Sequence, residues 1–383
     1  MKLSEKKHPK VLHVITSLDV GGAEMMLFKL IQMSLMTFES KIIVLMGRGK
    51  LSEKFETLCI NVEYIAITRG RMPSIAAILK MLSISRQFSP DVIQGWMYHG
   101  NVAAWLIKFL VCRRASLFWN IRQTLYNLSY EKRLTKWLIR LGKWLSSAPQ
   151  LIIYNSNLSV IQHEKIGYPK KKSFVIFNGF DIQHFKPNEL ARESVGWEFG
   201  FEPMAPLVIH VGRYHPMKDY YNLLTAAKNI LKVDPEINFL LVGHGVTKEN
   251  KELTNLCLSF GLENNLVLAG ERFDLPRLIA AADVAVLSSA WGESFPNVIG
   301  EAMACGTVCV ATDVGDSAFI IGEFGRVVPP CDPNALSREI TTLLSDDNLR
   351  KDLGSKARKR IENLFSINQV SDAYFNLYKG RLL

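Results

Sequence analysis

The 383-residue sequence has no uninterrupted apolar run of the roughly 20 residues that a helix needs to span a bilayer. Its six cysteines are scattered and include no Cys-x-x-Cys pair, which argues against a zinc site and fits reduced thiols in the cytoplasm. No Asp-x-Asp pair occurs, so there is no obvious carboxylate site for a divalent ion that would hold a diphosphate. These absences predict a cytoplasmic protein without a resident metal ion.

Charge is divided unevenly along the chain. Residues 1–187 contain 27 Lys and Arg against 11 Asp and Glu, a formal charge of +16. Residues 188–383 contain 19 against 25, a formal charge of −6. The positive charge of the first half predicts a polyanionic partner, either nucleic acid or an anionic membrane surface.

Short apolar runs alternate with amphipathic helical patterns, which predicts parallel sheets with crossover helices. The predicted strands are 10–16, 41–46, 62–67, 91–94, 117–121 and 151–154, then 207–211, 239–242, 266–268, 284–287 and 308–311. Turn residues are frequent at 178–187, and 188–206 has no strong period, so we place a linker there. We therefore expect an α/β protein of two facing Rossmann-like domains, residues 1–187 and 188–366, with ligand sites at the carboxyl ends of the strands.

One stretch places two glutamates just after a predicted strand. Strand 284–287 leads into the loop Trp291-Gly-Glu-Ser-Phe-Pro, and a helix begins near Asn297. Glu293 then lies in the loop, and Glu301 lies about one turn, roughly 6 Å, into the helix. A surface loop followed by an amphipathic helix with two solvated glutamates would give the same pattern.

The start of this helix is suited to an anion, because its first backbone amides point outward and the helix dipole favours negative charge. The amides concerned are those of Phe295, Asn297 and Val298. The geometry suits a nucleotide diphosphate-sugar, with phosphate on the amides, ribose on Glu301 and sugar hydroxyls on Glu293.

The stretch Glu293-Ser-Phe-Pro-Asn-Val-Ile-Gly-Glu301 resembles the Glu-x7-Glu signature of retaining GT-B glycosyltransferases, the group 1 family of bacterial polysaccharide and glycolipid synthesis. The resemblance covers most of the chain. It implies the GT-B fold, with an acceptor-binding first domain, a nucleotide-sugar-binding second domain and a deep cleft between them. It also implies a C-terminal helix, residues 367–383, that packs back on the first domain.

A second motif, Val211-Gly-Arg-Tyr-His-Pro-Met-Lys-Asp219, follows a predicted strand directly. Arg213 and Lys218 suit a diphosphate at this strand end, because guanidinium and ammonium groups both bind phosphate. The family has a similar Gly-Arg…Lys-Asp pattern, which implies that the two cations stabilise charge on the departing diphosphate. Two ordinary surface cations are the alternative.

Glycine turns follow two other strands. Gly21 and Gly22 lie in Ser17-Leu-Asp-Val-Gly-Gly-Ala-Glu24, which is not the Gly-x-Gly-x-x-Gly dinucleotide fingerprint. Glycines here permit a positive φ angle and close approach of an oxygen ligand. The family's similar Gly-Gly-Ala-Glu implies contact with the donor phosphates, although a plain turn is the alternative. Gly243 is expected to line the donor site from another strand end.

His99 and Arg272 are assigned largely by resemblance. His99 follows strand 91–94, so we expect it in a carboxyl-end loop. Family members place a His there near the transferred sugar, although a single His is often a core or helix-cap residue. Arg272 follows strand 266–268, the region that the family uses to hold the nucleotide base. The resemblance thus implies catalytic roles for His99, Glu293, Arg213 and Lys218, with His99 and Glu293 positioning the sugar.

Aromatic and basic residues interleave between positions 134 and 145. An apolar stripe at helical spacing is flanked by three cations, and it consists of Trp137, Leu138, Leu141, Trp144 and Leu145. Such a helix either lies in a lipid interface or turns its stripe towards the core. The positive charge of the first half favours the membrane.

Together these patterns and the family resemblance imply a cytoplasmic, metal-independent retaining glycosyltransferase, without a cofactor or nucleic-acid partner, associated peripherally with the inner face of the membrane. We expect it to move a hexose or N-acetylhexosamine from a nucleotide-sugar, with UDP favoured, to an undecaprenyl-diphosphate-linked glycan. The expected pathways are lipopolysaccharide O-antigen, capsule or exopolysaccharide synthesis. The alternatives are a GDP-sugar-dependent mannosyl-type transferase, a non-hydrolysing UDP-sugar epimerase, and a non-catalytic protein that binds RNA or an anionic surface.

Overall fold

The computed structural model describes residues 8–126, 132–202 and 205–381. The chain divides into two compact units: unit 1 extends to Gly179 and resumes at Ile367, and unit 2 is Phe180–Ser366. This division precedes the boundary at 187 that turn residues indicated. The reason is that Phe180 belongs with unit 2, where its backbone N–H donates to the carbonyl of Phe365 at 2.8 Å and its ring is fully buried.

Unit 1 begins with an alternation of strands and helices. In chain order these are β1 (Lys10–Ile15), α1 (Gly22–Ser34), β2 (Glu39–Val44), α2 (Ser52–Glu56), β3 (Asn61–Tyr64), α3 (Ile75–Phe88), β4 (Val92–Trp96), α4 (Met97–Leu110), β5 (Ser116–Ile121), α5 (Arg133–Leu145), β6 (Leu151–Tyr154), α6 (Asn157–Lys165) and β7 (Ser173–Val175). All strands are parallel, in the order β3-β2-β1-β4-β5-β6-β7. The strand order reverses between β1 and β4, which makes the ends of these strands the switch point of the sheet.

Unit 2 repeats this architecture. Its elements are α7 (Ala191–Phe199), β8 (Leu207–Val211), α8 (Tyr220–Leu231), β9 (Asn238–Val242), α9 (Lys251–Phe260), β10 (Leu266–Leu268), α10 (Leu275–Ala281), β11 (Val284–Leu287), α11 (Asn297–Ala304), β12 (Val308–Thr312), α12 (Ser317–Ile321), β13 (Arg326–Val328), α13 (Pro333–Leu344) and α14 (Asp347–Leu364). The strands are parallel in the order β10-β9-β8-β11-β12-β13. The switch point of this sheet therefore lies between β8 and β11.

The last helix, α15 (Ile367–Tyr378), belongs to unit 1. Tyr374 and Tyr378 are buried in the same hydrophobic cluster as α1. The hydroxyl of Tyr374 accepts a hydrogen bond from Asn120 Nδ2 at 2.7 Å, and that of Tyr378 bonds to Gln94 Oε1. Residues 382–383 of the segment expected to pack back lie outside the described residues.

Two apolar layers cover the faces of the unit 1 sheet. Along β1, Val11 and Ile15 pack into a cluster with α1, α2 and α15, whereas Leu12 and Val14 pack into a cluster with α3, α4 and α5. This follows from the alternation of side chains across a strand. Strands that are buried on both faces need continuous apolar sequence, which is why these strands appeared as uninterrupted apolar runs.

The expected fold class, α/β with two Rossmann-like parallel sheets, is confirmed. The sequence patterns missed β7 and β13, the three-residue edge strands of the two sheets, because each is short and partly exposed. They also missed α2 and α7. Helix α7 lies within 188–206, where little periodicity was evident, because only three of its nine residues are buried.

Candidate active site

The switch point of unit 2 joins the two motifs that the sequence singled out. Strand β8 pairs with β11, so the loop after Val211 and the loop after Leu287 emerge side by side at the carboxyl edge. The first loop contains Arg213 and Lys218, and the second contains Glu293. Residues that are 75 positions apart in sequence are thereby brought into contact.

Lys218 and Glu293 form an ion pair at this point. Lys218 Nζ lies 2.6 Å from Glu293 Oε1, and both side chains are largely buried. Ser289 Oγ donates to the same carboxylate oxygen at 2.7 Å, and Ser288 Oγ donates to the backbone carbonyl of Lys218 at 2.7 Å. The two serines were not predicted from the sequence, although their position directly after an apolar strand was an available signal. Together they fix both charged groups at the edge of the sheet.

Arg213 lies in the same loop but is exposed. The contact recorded for its guanidinium is Nη2 to Met217 Sδ at 3.8 Å. The structure therefore brings Lys218 and Glu293 together and leaves Arg213 on the surface beside them. An exposed guanidinium on a loop can turn towards an anionic ligand at little cost in lost interactions.

The Gly243 turn packs directly on the β8 loop. Gly243 has φ +149°, and a Cβ atom there would overlap the carbonyl oxygen of Gly212. The N–H of Gly212 donates to Val242 at 2.8 Å, and that of Gly243 donates to Gly270 at 2.7 Å. The loops after β8, β9 and β10 thus form one hydrogen-bonded rim, and glycine is needed at 243 for both its φ angle and its close backbone approach.

Helix α11 carries the remaining donor-site predictions. Asn297 and Val298 are its first two residues, whose N–H groups lack intrahelical acceptors in any α-helix. The Phe295 ring is buried and stacks on Phe180, with ring centroids 6.2 Å apart, so only its backbone remains for a ligand. Glu301 lies one turn into the helix and is partly exposed. These positions match those that the sequence indicated, and their contacts with a donor stay predictions.

The loop after β12 packs against the backbone of the loop that contains Glu293. Gly315 has φ +65°, and a Cβ atom there would lie 2.7 Å from the carbonyl oxygens of both Glu293 and Ser294. The N–H of Asp316 also donates to the carbonyl of Ser294 at 2.9 Å. This contact could not be predicted from local sequence patterns, because the two loops are close only through the pairing of β11 with β12.

Arg272 takes part in a network of ion pairs. Its Nε and Nη2 donate to the two carboxylate oxygens of Asp274 at 2.9 and 3.0 Å, and Nη1 donates to Glu198 at 2.7 Å. Hydrogen bonds from Arg272 lower the pKa of the Asp274 carboxyl. Arg277 pairs with both carboxylates as well. This network joins α7 to α10, and a contact of Arg272 with a nucleotide base would have to compete with it.

In unit 1, His99 lies at the switch point of the sheet, just after β4. Helix α4 starts directly after β4, with Met97 at φ +61°, so His99 lies in the first helical turn and not in the loop that we expected. Gly100 permits this, because a Cβ atom there would overlap the carbonyl oxygen of Val14 in β1. Burial lowers the pKa of His99 below its ordinary value. The imidazole is therefore uncharged at neutral pH, which suits hydrogen bonding to a sugar hydroxyl.

Gly21 and Gly22 lie at the start of α1, beside the same switch point. Neither uses the positive φ angle that glycine permits: Gly21 is extended at φ −161°, and Gly22 begins the helix. A Cβ atom at Gly22 would meet nothing within 4 Å, whereas one at Gly21 would overlap the side chain of Glu24. The backbone conformation therefore does not require glycine here, and contact with donor phosphates stays a prediction.

Arg122, directly after β5, is a buried cation that the sequence reasoning did not single out. Nη1 donates to Asn120 Oδ1 at 3.3 Å and to Tyr374 at 3.0 Å, and Nη2 donates to Asn178. No carboxylate of the described residues pairs with it, and Nε has no acceptor there. Burial lowers the pKa of the guanidinium, which nevertheless keeps its charge at neutral pH.

Helix α5 divides the apolar stripe that the sequence predicted. Leu138 faces the core, together with Ile139 and Gly142. Trp137 and Trp144 face solvent, with 52% and 78% of their surface exposed. The stripe therefore does not act as one core-facing surface.

The described part of the chain bears on metal binding and on membrane crossing. No group of three or more His, Cys, Asp or Glu side chains comes together there in a way that could hold a metal ion. Among the same residues, no helix is both long and apolar enough to cross a membrane.

Two family models match consecutive parts of the chain. Residues 20–184 match Glycosyltransferase Family 4, and residues 192–360 match Glycosyl transferases group 1. N-acetyl-alpha-D-glucosaminyl L-malate synthase of Bacillus anthracis is 23% identical over 308 residues, 79% of this chain and 78% of that protein. UDP-Gal:alpha-D-GlcNAc-diphosphoundecaprenol alpha-1,3-galactosyltransferase of Escherichia coli is 25% identical over 332 residues, 84% of this chain and 82% of that protein.

Among solved structures, the crystal structure of Anabaena HepE in complex with UDP superposes with a TM-score of 0.86. The match covers 97% of this chain and 100% of that chain at 22% sequence identity. At this level of identity the likeness shows the fold.

Proposed function

The chain belongs to the group 1 glycosyltransferases of the GT-B type, and we propose that it moves a hexose or N-acetylhexosamine from a UDP-sugar to a lipid-linked glycan. The family assignment means that the protein transfers a sugar from a nucleotide-sugar donor. The base, the acceptor, the stereochemical course and independence of metal are our proposals. The assignment sets aside the epimerase and the non-catalytic binding protein.

The observation that carries the proposal is the ion pair of Lys218 and Glu293 beside the start of α11. Departure of a nucleoside diphosphate places negative charge on phosphate oxygens, and pre-positioned cations and helix amides stabilise it. We assign Lys218, Arg213 and the amides at the helix start to the diphosphate. Glu293 then holds sugar hydroxyls, and Glu301 holds the ribose.

The choice of UDP is supported by two relatives. The Escherichia coli enzyme uses UDP-Gal by its name, and the Anabaena structure contains UDP. The rim formed by the loops after β8, β9 and β10, with Gly243 and the residues after Gly270, is the proposed position of the base. A GDP-sugar is the alternative donor and is part of the test below.

The acceptor we propose is an undecaprenyl-diphosphate-linked glycan of lipopolysaccharide O-antigen, capsule or exopolysaccharide synthesis. The relative that acts on a diphosphoundecaprenol acceptor supports it, as does the charge of +16 on residues 1–187. Such an acceptor lies in the membrane, so the enzyme would work peripherally at its inner face.

The proposed reaction retains the anomeric configuration and uses no metal ion or other cofactor. The acceptor hydroxyl attacks from the side of the leaving group, and the departing phosphate takes its proton. Lys218 and Arg213 supply the positive charge for which other enzymes use a divalent ion. The assignments of His99 beside the sugar, of Gly21 and Gly22 beside the phosphates, and of Arg272 beside the base rest on the family resemblance.

A thermal-shift panel of UDP, GDP, ADP, their sugar conjugates and NAD tests the donor assignment. UDP at about 100 times its Kd should stabilise the protein by about 2.7 kcal/mol.

Glu301→Ala should weaken nucleotide binding about tenfold, because it removes a hydrogen bond to a charged group. Glu293→Ala should lower turnover about a hundredfold while changing nucleotide affinity less.

Glu236→Ala, at an exposed glutamate of the same unit, is the matched control and should change neither quantity. Normal transfer rates in both the Glu293 and Glu301 variants would show that the donor site lies elsewhere. Stabilisation by GDP alone would replace the UDP assignment with the mannosyl-type alternative.

A further inference from the structure

Helices α3, α4 and α5 form one layer on unit 1, with α4 packed between the other two. Their inward residues belong to a single hydrophobic cluster with the sheet. The opposite surface of this layer, which we call the outer face, is unusual for a protein surface, because large apolar side chains recur on all three helices.

On α3 and the turn before it, Met72, Ile75 and Leu79 are exposed, Ile75 by 78%. On α4, Phe109 and Leu110 are exposed near the helix end. On α5, Trp137 and Trp144 are exposed, seven residues or about two helical turns apart. Arg133 and Arg140 are exposed on the same side of α5, because positions 133, 137, 140 and 144 share one helix face.

The segment that contains these helices is almost free of negative charge. Residues 66–163 contain 13 Lys and Arg and two acidic residues, Asp91 and Glu131. Asp91 precedes β4 at the amino edge of the sheet, where its Oδ2 accepts from the backbone N–H of Lys10 at 2.8 Å. Glu131 lies outside the described residues. The described outer face is therefore both apolar and cationic.

We propose that the outer face docks onto an anionic lipid bilayer. Cations attract acidic headgroups, and apolar side chains with tryptophan at their margin enter the headgroup boundary. RNA would also meet the cations and could stack on the tryptophans. The exposed aliphatic side chains can neither stack on a nucleic-acid base nor form a hydrogen bond with it, whereas a bilayer would bury them; they are Met72, Ile75, Leu79 and Leu110. The aliphatic part of the face therefore favours lipid.

This inference rests on the proposed function, because it names the surface through which the enzyme reaches a lipid-linked acceptor. Helix α4 connects the two features: His99 is in its first turn and Phe109 near its end, ten residues or about 15 Å along the axis. Docking through α3, α4 and α5 would hold His99, and with it the proposed acceptor site of unit 1, at a fixed and short distance from the membrane.

Co-sedimentation of the full chain with vesicles tests the proposal. The vesicles contain phosphatidylcholine alone or phosphatidylcholine with phosphatidylglycerol. The wild-type chain should bind the anionic vesicles more tightly, and added salt should weaken this binding. The paired substitutions Trp137→Ser with Trp144→Ser, and Ile75→Ser with Leu79→Ser, should each lower the partition coefficient about tenfold or more. Arg133→Glu with Arg140→Glu should lower it at least about fivefold at low salt.

Unit 2 offers matched controls, since Trp197 is 80% exposed and Leu258 is also exposed. Trp197→Ser and Leu258→Ser should leave vesicle binding unchanged. Every variant is also checked for its thermal shift with UDP, which reports folding and nucleotide binding separately from docking.

Three outcomes separate the possibilities. If the outer-face variants bind vesicles like the controls and still respond to UDP, the docking proposal is wrong and the transferase function stands. If UDP stabilises neither wild type nor variants while vesicle binding falls as expected, the donor assignment fails and docking stands. If single-stranded RNA binds the wild type and the Ile75 and Leu79 variant equally, and vesicles do not bind, the partner is nucleic acid and the proposal is wrong.

Discussion

At the residue scale, the contact of Lys218 with Glu293 shows how a charged site can be built before the ligand arrives. Removing two charges from water is costly unless further hydrogen bonds compensate, and Ser289 supplies one here. The pair holds the ammonium group beside Glu293, which precedes the first residue of α11 by four positions. An incoming diphosphate would then compete with a carboxylate for a lysine that is already in position, which limits the entropy lost on binding.

His210 in β8 makes the same region sensitive to acid. Burial, followed by the charge of Lys218, lowers its pKa from 6.5 to about 3. The unfolded chain binds a proton below pH 6.5 that the folded chain cannot bind, so stability falls as pH drops from 6.5 towards 3. This loss amounts to about 1.36 kcal/mol per pH unit, or about 2 kcal/mol at pH 5.

We therefore expect His210→Phe to lose about 2 kcal/mol less stability than the wild type between pH 7 and pH 5. Neither ring nitrogen has a partner in the described part of the chain, so the substitution breaks no hydrogen bond seen there. Urea unfolding at the two pH values measures the difference. Val233→Thr, at an exposed position of the same unit that does not titrate, should lose as much stability as the wild type. Equal losses in all three proteins would mean that His210 is protonated in the folded state.

At the scale of elements, the carboxyl edge of unit 2 is a set of loops that hold one another. The N–H of Tyr214 donates to His244 at 2.8 Å, and that of Ala290 donates to Met217 at 2.8 Å. Gly315 closes the set beneath Glu293. A substitution in one loop should therefore displace charged groups that belong to another loop.

Gly315→Ala tests this coupling. Its positive φ angle alone should cost about 1 to 2 kcal/mol. The added methyl would also press on the carbonyl oxygens of Glu293 and Ser294, so turnover should fall about tenfold or more through misplaced Glu293. Gly261→Ala is the matched control, because Gly261 has φ +70° but open space around it, and it should lose stability without losing turnover. Urea unfolding and initial rates measure both effects, and equal turnover in the two variants would contradict the coupling.

At the scale of the whole molecule, the sequence was sufficient to predict the two parallel sheets. Apolar runs such as Val284–Leu287 were recognisable because central parallel strands are buried on both faces. The contact of Lys218 with Glu293 follows from strand order, which local patterns do not contain. The positions of Gly315 and Arg122 were missed for the same reason, since each is defined by neighbours from other strands. The start of α4 at Met97 was also missed, because a residue at φ +61° gave no sequence signal.

Arg122 contacts both segments of unit 1 at which the chain leaves this unit and returns to it. Asn178, the last residue but one before the chain leaves unit 1, accepts from its guanidinium. Tyr374, on the helix with which the chain returns, accepts from the same group at 3.0 Å. A buried cation without a carboxylate partner needs neutral acceptors, and these are supplied by the departing and returning segments. Helix α15 is therefore part of the unit 1 core and not an appendage.

Tyr374→Phe should accordingly destabilise unit 1 by about 2 to 3 kcal/mol, because it leaves Arg122 Nη1 and Asn120 Nδ2 short of a buried acceptor. Tyr378→Phe should cost about 1 kcal/mol, since its hydroxyl bonds only the neutral Gln94 among the described residues. Tyr221→Phe, at an exposed tyrosine of unit 2, should be neutral. Urea unfolding gives the free energies, and hydrogen exchange should locate the loss in β4, β5 and α15. If Tyr374→Phe is as mild as Tyr221→Phe, Arg122 must draw its stabilisation from another group, and α15 would be held by its apolar contacts alone.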